Sequence, residues 1–314
     1  MPFSYDPQFA EAMGPLADLM KAHPVAPGDW QSLRAGGNAA IAAMLGALPD
    51  VPGVHATDVE IAGYQGAAIA GRFYRKEGSD PGSAVVYFHG GGMILGSMDL
   101  IDKVPAAYVA ATGVPMLSVD YRLAPEHPHP APVEDCYAGL AWLHEHADRF
   151  GVDTARIAVM GDSAGGGLAA GTAILARDRG LPLARQILIY PMLDDRTVTP
   201  DPELVPFVLW SYDDNVTGWG ALLGDRRGTD DVPAAAAPAR LTDFRGLAPA
   251  YIEVGELDIF RDEDIEYARR LGLAGVSAEL HLYPGLPHSF DAVGSAVSAN
   301  ERSRADRVRV IQSV

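Results

Sequence analysis

The stretch Arg156 to Ala176, RIAVMGDSAGGGLAAGTAILA, decides how the rest of the chain is read. Arg156 to Met160 is a short β-favouring apolar run, and Leu168 to Ala176 is small, apolar and compatible with a helix, so Gly161 to Gly167 is the turn between them. Within it, Gly161-Asp162-Ser163-Ala164-Gly165 has the spacing Gly-x-Ser-x-Gly. Glycines two residues either side of a serine remove the Cβ atoms that would clash in a strained strand-to-helix elbow, which leaves the hydroxyl projecting. The Ala164 N–H and the helix N-terminus then offer a donor and a positive dipole end to a developing oxyanion. With 34 glycines in 314 residues, composition alone would produce such a pattern in roughly one chain in six. The elbow therefore has weight only with a strand before it, a helix after it and partners elsewhere.

Strand and helix patterns do alternate along the chain. VEIAGY and AIAGRFYR read as neighbouring strands from Asp58, and AVVYFHGGG as a buried strand entering a glycine loop. Leu100 to Ala111 reads as a helix, PMLSVDY as a strand, Val133 to Arg149 as a helix, QILIYP and PAYIEVG as strands, Asp262 to Leu271 as a helix, AELHLYP as a strand, and the C-terminus as a helix. This predicts an α/β fold with a mostly parallel central sheet and helices on both faces, whose ligands bind at the carboxyl ends of the strands. Residues 1–50 read as short helical pieces punctuated by HPVAPGDW and LPDVPG, an appendage rather than core. Residues 51–314 form the main domain, interrupted by an irregular insertion at 192–225.

A serine hydroxyl needs an imidazole to take its proton, and the imidazole needs a carboxylate to fix its tautomer. The chain order that accompanies such an elbow is serine, acid, histidine. Only His281 and His288 follow Ser163. His281 lies inside AELHLYP, whereas His288 lies in the loop GLPHSF beyond that strand's carboxyl end, so His288 is the candidate base. After the strand Tyr251 to Val254 the acid is Asp258, with Glu256 its rival, and Asp262 and Glu263 cap the next helix. The loop His89 to Gly92, HGGG, follows another strand end and supplies the Gly90 and Gly91 N–H groups to join Ala164 around an oxyanion.

Bulk properties exclude other classes. The formal net charge is −17, which repels nucleic acid. Cys136 is the only cysteine, so an intramolecular disulfide or a cysteine metal site is impossible. The N-terminus lacks the basic start and apolar core of a signal peptide, and no stretch suits a membrane span; a cytoplasmic protein is expected. Gly165-Gly166-Gly167-Leu168-Ala169-Ala170 fits a dinucleotide fingerprint, but four residues separate it from the strand end and no acid closes the next strand. No cofactor and no metal are expected: His144 and His146 are two apart on a helix and read as solvated.

The combination resembles the hormone-sensitive-lipase-like esterases of the α/β-hydrolase superfamily. The resemblance rests on HGGG (89–92), DYRLAPEHPHPAP (120–132), GDSAGGGLA (161–169), DIFRDE (258–263) and HSF (288–290). It implies the α/β-hydrolase fold with a helical cap built from residues 1–50 and 192–225. It also implies a Ser163, Asp258, His288 triad, an oxyanion hole of Gly90, Gly91 and Ala164, supporting positions at His89, Arg122 and Glu126, and a small-molecule ester substrate. Two positions depart from the pattern: Met93 stands where an aromatic is usual, and Gly167 where asparagine is usual. Met93 and the aromatics Trp30, Phe207, Trp210, Tyr212 and Trp219 are candidate substrate contacts. The expected activity is hydrolysis of short to medium acyl esters through an acyl-enzyme, with amide and thioester hydrolysis open on the same machinery and a non-catalytic, ligand-binding relative of the fold as the further alternative. The run ERSRADRVRV reads as a solvated helix face, with a homodimer contact as the alternative.

Overall fold

The computed structural model describes residues 3–21, 25–79, 82–293 and 297–314. His23 and Pro24 of the punctuating stretch near the N-terminus lie outside the described residues.

Eight strands make one sheet: β1 (Val54–Ala62), β2 (Ala68–Lys76), β3 (Ala84–Phe88), β4 (Met116–Val119), β5 (Ile157–Asp162), β6 (Arg185–Ile189), β7 (Ala250–Gly255) and β8 (Ala278–Tyr283). Their spatial order is β1-β2-β4-β3-β5-β6-β7-β8. β2 pairs antiparallel with both β1 and β4, and every later pairing is parallel. The parallel strands carry almost uninterrupted apolar runs because both of their faces are covered. Alternate residues serve opposite layers. Val86, Phe88, Val159 and Leu188 enter one apolar cluster, while Val85, Tyr87, Met160 and Ile187 enter the other.

The first cluster is closed by α4 (Ala131–Glu145), α6 (Ala164–Asp178) and α8 (Arg261–Leu273), with the four-residue α5 (Ala147–Phe150) following α4. The second is closed by α3 (Lys103–Thr112), α9 (Ser298–Gln312) and, through Phe9 and Met13, α1 (Pro7–Lys21). The helix expected over Val133 to Arg149 is thus divided at His146, whose ring stacks on Trp142 at 4.3 Å and whose Nδ1 meets the Trp142 carbonyl oxygen at 2.8 Å.

Two further helices lie above the strand ends. α2 (Trp30–Gly46) has no fully buried residue, and α7 (Tyr212–Leu223) breaks the stretch expected to be irregular. The start of α7 is specified locally. The Ser211 hydroxyl accepts from Asp214 N at 3.1 Å, and the Asp214 carboxylate accepts from Ser211 N at 3.0 Å, a reciprocal cap that satisfies two orphan donors. The Gly28 N–H donates to Thr217 Oγ1 at 2.9 Å, which joins the entrance of α2 to α7.

The C-terminal run departs from the solvated reading in one respect. Glu301, Arg302, Arg304 and Arg309 face outward, but Ser303 and Arg307 are buried on the inner side of α9 with Val310 and Ile311. Among the described residues no helix is long and apolar enough to cross a membrane.

Candidate active site

Parallel register brings the loops of interest to one edge. Phe88 pairs with Gly161, Asp162 with Ile189, Ile189 with Glu253, and Gly255 with Tyr283. The segments that follow β3, β5, β6, β7 and β8 therefore emerge side by side.

Ser163 sits between β5 and α6 with φ 55° and ψ −120°, in the left-handed region that a serine adopts only when its surroundings compel it. Those surroundings are backbone. The Ser163 N–H donates to the Ile189 carbonyl at 2.8 Å, and its own carbonyl accepts from Gly167 and Met192, both at 3.0 Å. The elbow glycines are required by space: a Cβ on Gly161 would lie 2.2 Å from the Gly165 carbonyl oxygen, and one on Gly165 would lie 2.1 Å from that of Phe88.

His288 Nε2 lies 2.8 Å from Ser163 Oγ, and His288 Nδ1 lies 2.7 Å from Asp258 Oδ2. All three residues are buried. Asp258 Oδ1 accepts the Phe260 N–H at 2.9 Å, leaving Oδ2 to the imidazole. The His288 ring is held edge-on by Tyr190 at 4.9 Å and Phe260 at 5.0 Å. This arrangement fixes the tautomer with the proton on Nδ1 and aims the Nε2 lone pair at the hydroxyl. The rejected alternatives are committed elsewhere. His281 bonds Glu279 at 2.8 Å and faces Asp306, while Glu256 accepts the Gly285 N–H at 2.9 Å.

The oxyanion donors need one correction. The Gly90 N–H already donates to Asp162 Oδ2 at 3.1 Å and so faces away from an incoming oxygen. Gly91 and Gly92 donate to no acceptor among the described residues, and Ala164 opens α6, where an N–H has no partner in its own helix. The N–H groups left without an acceptor among the described residues are those of Gly91, Gly92 and Ala164. Sequence alone could not separate three consecutive glycines, because the distinction lies in a carboxylate 72 positions away.

That carboxylate, Asp162, also accepts the Tyr87 hydroxyl, and burial pushes its pKa up. His89 is buried beside it. Its Nδ1 donates to the Gly90 carbonyl at 2.7 Å, its ring stacks on Tyr121 at 4.4 Å, and desolvation lowers its pKa, so it remains neutral and braces the glycine loop. Arg122 bonds Asp135 through Nε at 2.7 Å and Nη2 at 2.8 Å, and Glu126 pairs with Arg34 of α2 at 2.6 Å. Asp262 and Glu263 lie in the first turn of α8, as expected, but neither side chain makes a cap hydrogen bond there. Asp262 pairs with Arg261, and Glu263 is buried, accepting the N–H groups of Leu193 at 2.6 Å and Asp194 at 3.1 Å and so anchoring the chain that leaves β6. Backbone donors from a distant loop outcompete the helix end.

The candidate substrate contacts divide. Trp210 covers Gly92 so closely that a Cβ there would lie 2.5 Å from its indole ring, and Met93 is buried with its Cε 3.7 Å from the place a Gly167 Cβ would occupy. Trp30 carries the Arg34 guanidinium at 4.5 Å, Phe207 packs on Tyr5 at 5.2 Å, Tyr212 begins α7, and Trp219 is fully buried in the core beneath it. Trp219 is therefore a packing residue. A groove of about 510 Å³ lined by His55, Phe73, Arg75 and Phe150 sits by the far end of β2, opposite the serine, and belongs to different surface.

A family profile described as alpha/beta hydrolase fold matches residues 85–292. The chain belongs to the α/β hydrolases, among the hormone-sensitive-lipase-like esterases. It is 38% identical over 280 residues to carboxylic ester hydrolase LipN of Mycobacterium tuberculosis, covering 82% of this chain and 71% of that protein. It is 32% identical over 274 residues to the ethyl acetate hydrolase of Pseudomonas putida, covering 82% of each. A solved bacterial heroin esterase superposes with a TM-score of 0.89 at 38% identity, covering 99% of this chain and 98% of that one.

Proposed function

We propose that this carboxylic ester hydrolase uses Ser163 as its nucleophile and acts on short to medium acyl esters through an acyl-enzyme. The observation that carries the reading is the unbroken hydrogen-bonded series Asp258, His288, Ser163 at the carboxyl edge of the sheet. His288 Nε2 takes the hydroxyl proton as Ser163 Oγ attacks the ester carbonyl, and Asp258 stabilises the imidazolium. Gly91, Gly92 and Ala164 hold the oxyanion. Collapse expels the alcohol, which receives the proton from His288, and water then repeats the cycle on the acyl-enzyme.

Residues 1–50 and 192–225 act together as a cap, a reading supported by the link from Gly28 to Thr217 and by Trp210 over the glycine loop. Trp210 and Met93 crowd the oxyanion loop, which favours a small acyl group, in keeping with a relative named for ethyl acetate. The triad lies within one chain, so a homodimer is not needed to complete it; the protein is read as cytoplasmic.

Hydrolysis of p-nitrophenyl esters from acetate to laurate by the wild type and Ser163→Ala tests this. The wild type is expected to be fastest on the shortest chains, and the variant to lose about 10,000-fold or more in kcat. Retained activity in Ser163→Ala, or no ester hydrolysed by the wild type, would overturn it.

A further inference from the structure

Beneath the triad lies a buried charge cluster that ester hydrolysis does not itself require. Arg307 of α9 donates from Nε to Glu253 Oε1 at 2.9 Å, with a second contact from Nη2 to the same oxygen, and from Nη1 to Asp291 and to the Tyr108 hydroxyl at 3.0 Å. Glu253 lies on β7, five positions before Asp258, and also accepts from Ser303 at 2.9 Å and Tyr251 at 2.6 Å. Asp291 lies three positions after His288 and accepts the Tyr190 hydroxyl at 2.9 Å; the Tyr190 ring is the one set edge-on to His288. Tyr190 has φ 35° and Ser289 φ 54°, so the backbone is held in the left-handed region on both sides of the imidazole.

One buried carboxylate, one partly buried carboxylate and a buried guanidinium add little net stability over hydrocarbon of equal volume. What the cluster does supply is geometry, because a planar fork fixes the angle between the groups it bridges. We infer that Arg307 is a positioning residue, which locks the strand leading to Asp258 to the loop carrying His288 and, through Asp291 and Tyr190, sets the imidazole against Ser163. The inference rests on the triad proposed above. The groups facing the guanidinium most closely are Glu253 from β7, Asp291 from the histidine loop, Tyr108 from α3 and Tyr190 just after β6, and Tyr251, Tyr283 and the elbow residue Asp162 also feel its charge.

The test is p-nitrophenyl acetate kinetics on Arg307→Lys, Tyr190→Phe and the double variant, normalised to sites titrated by a phosphonate ester. Ser163→Ala serves as control. Lysine keeps the charge without the fork, and kcat per titrated site should fall about 10–100-fold with KM little changed, as expected for a small misplacement of the base. Tyr190→Phe removes one hydroxyl and should cost about 3–10-fold in the same parameter. The double variant should lose less than the product, since both changes act through Asp291. A purely structural role would instead lower the titratable fraction and leave the rate per site intact. Tyr190→Phe at the wild-type rate per site overturns the inference whether or not Arg307→Lys folds. Activity retained by Ser163→Ala marks failure of the triad itself.

Discussion

Among the described residues, four of the five non-glycine residues with positive φ, Met93, Ser163, Tyr190 and Ser289, belong to or adjoin the proposed catalytic groups. Strain of that kind survives only where surrounding contacts over-determine it, so single substitutions here should be felt in chemistry before they are felt in folding. Asp258→Asn keeps the packing but cannot hold the Nδ1 proton in the required tautomer, and kcat is expected to fall about 10,000-fold with little change in KM, measured by steady-state kinetics. Gly167→Asn would restore the residue usual in the resembling family. Its Cβ would meet the Met192 carbonyl oxygen at 2.2 Å, a backbone atom that no side-chain change relieves, so thermal denaturation should show a loss of about 1–3 kcal/mol. Ser163, Asp258 and His288 were legible in the sequence because each follows a strand end in a fixed order. The exclusion of Gly90 and the burial of Arg307 were not. Both depend on carboxylates contributed from elsewhere in the fold, and a helix reading ERSRADRVRV has no periodicity that marks one arginine as internal.

At the scale of elements, α2 is the least secured helix whose side chains face the site. With no buried residue, it is held by Arg34, which donates to the Ala124 carbonyl at 2.7 Å, to that of Ile94 and to Glu126, and by Asn38, which accepts the Gly96 N–H at 2.9 Å. Ile94, Gly96 and Ala124 all adjoin the glycine loop, so the latch connects cap and oxyanion site. Arg34→Ala should raise hydrogen exchange across residues 30–46 and increase KM more than it lowers kcat. The Arg34 guanidinium holds the Glu126 pKa down at about 2. A carboxylate depressed in the folded state contributes above its ordinary pKa and loses that contribution as pH falls through the folded one. The latch should therefore loosen between about pH 4.5 and 2, seen as exchange in α2 rising ahead of the sheet. α7 was missed for a different reason: its cap, Ser211 with Asp214, is a recognisable start signal, but its buried face mixes Asn215, Thr217 and Gly218 with Tyr212, Trp219, Leu222 and Leu223, which dilutes the apolar stripe.

For the whole molecule, the sheet was readable because buried parallel strands appear as apolar runs between helices, and both layers are filled by the alternation of those same runs. In its response to acid, histidines kept neutral work against the buried Asp162, Glu263 and Asp264 carboxyls, whose pKa values burial raises. Burial, with the nearby Arg226 charge adding to it, brings the His129 pKa down to about 4, and desolvation lowers those of His89 and His144. The unfolded chain takes up these protons near pH 6.5 and the folded one does not, so the histidines' contribution to stability falls as pH drops from about 6.5 toward 4. Across that range Tm should fall less, or rise more, in His129→Gln than in the wild type.

The central claim is that Ser163 carries the acyl group, and mass spectrometry of enzyme quenched in acid during turnover of p-nitrophenyl acetate reads it directly. One acetyl group is expected, located by peptide mapping on Ser163 and absent from Ser163→Ala. An acetyl group on any other residue, or steady turnover by Ser163→Ala, would contradict it.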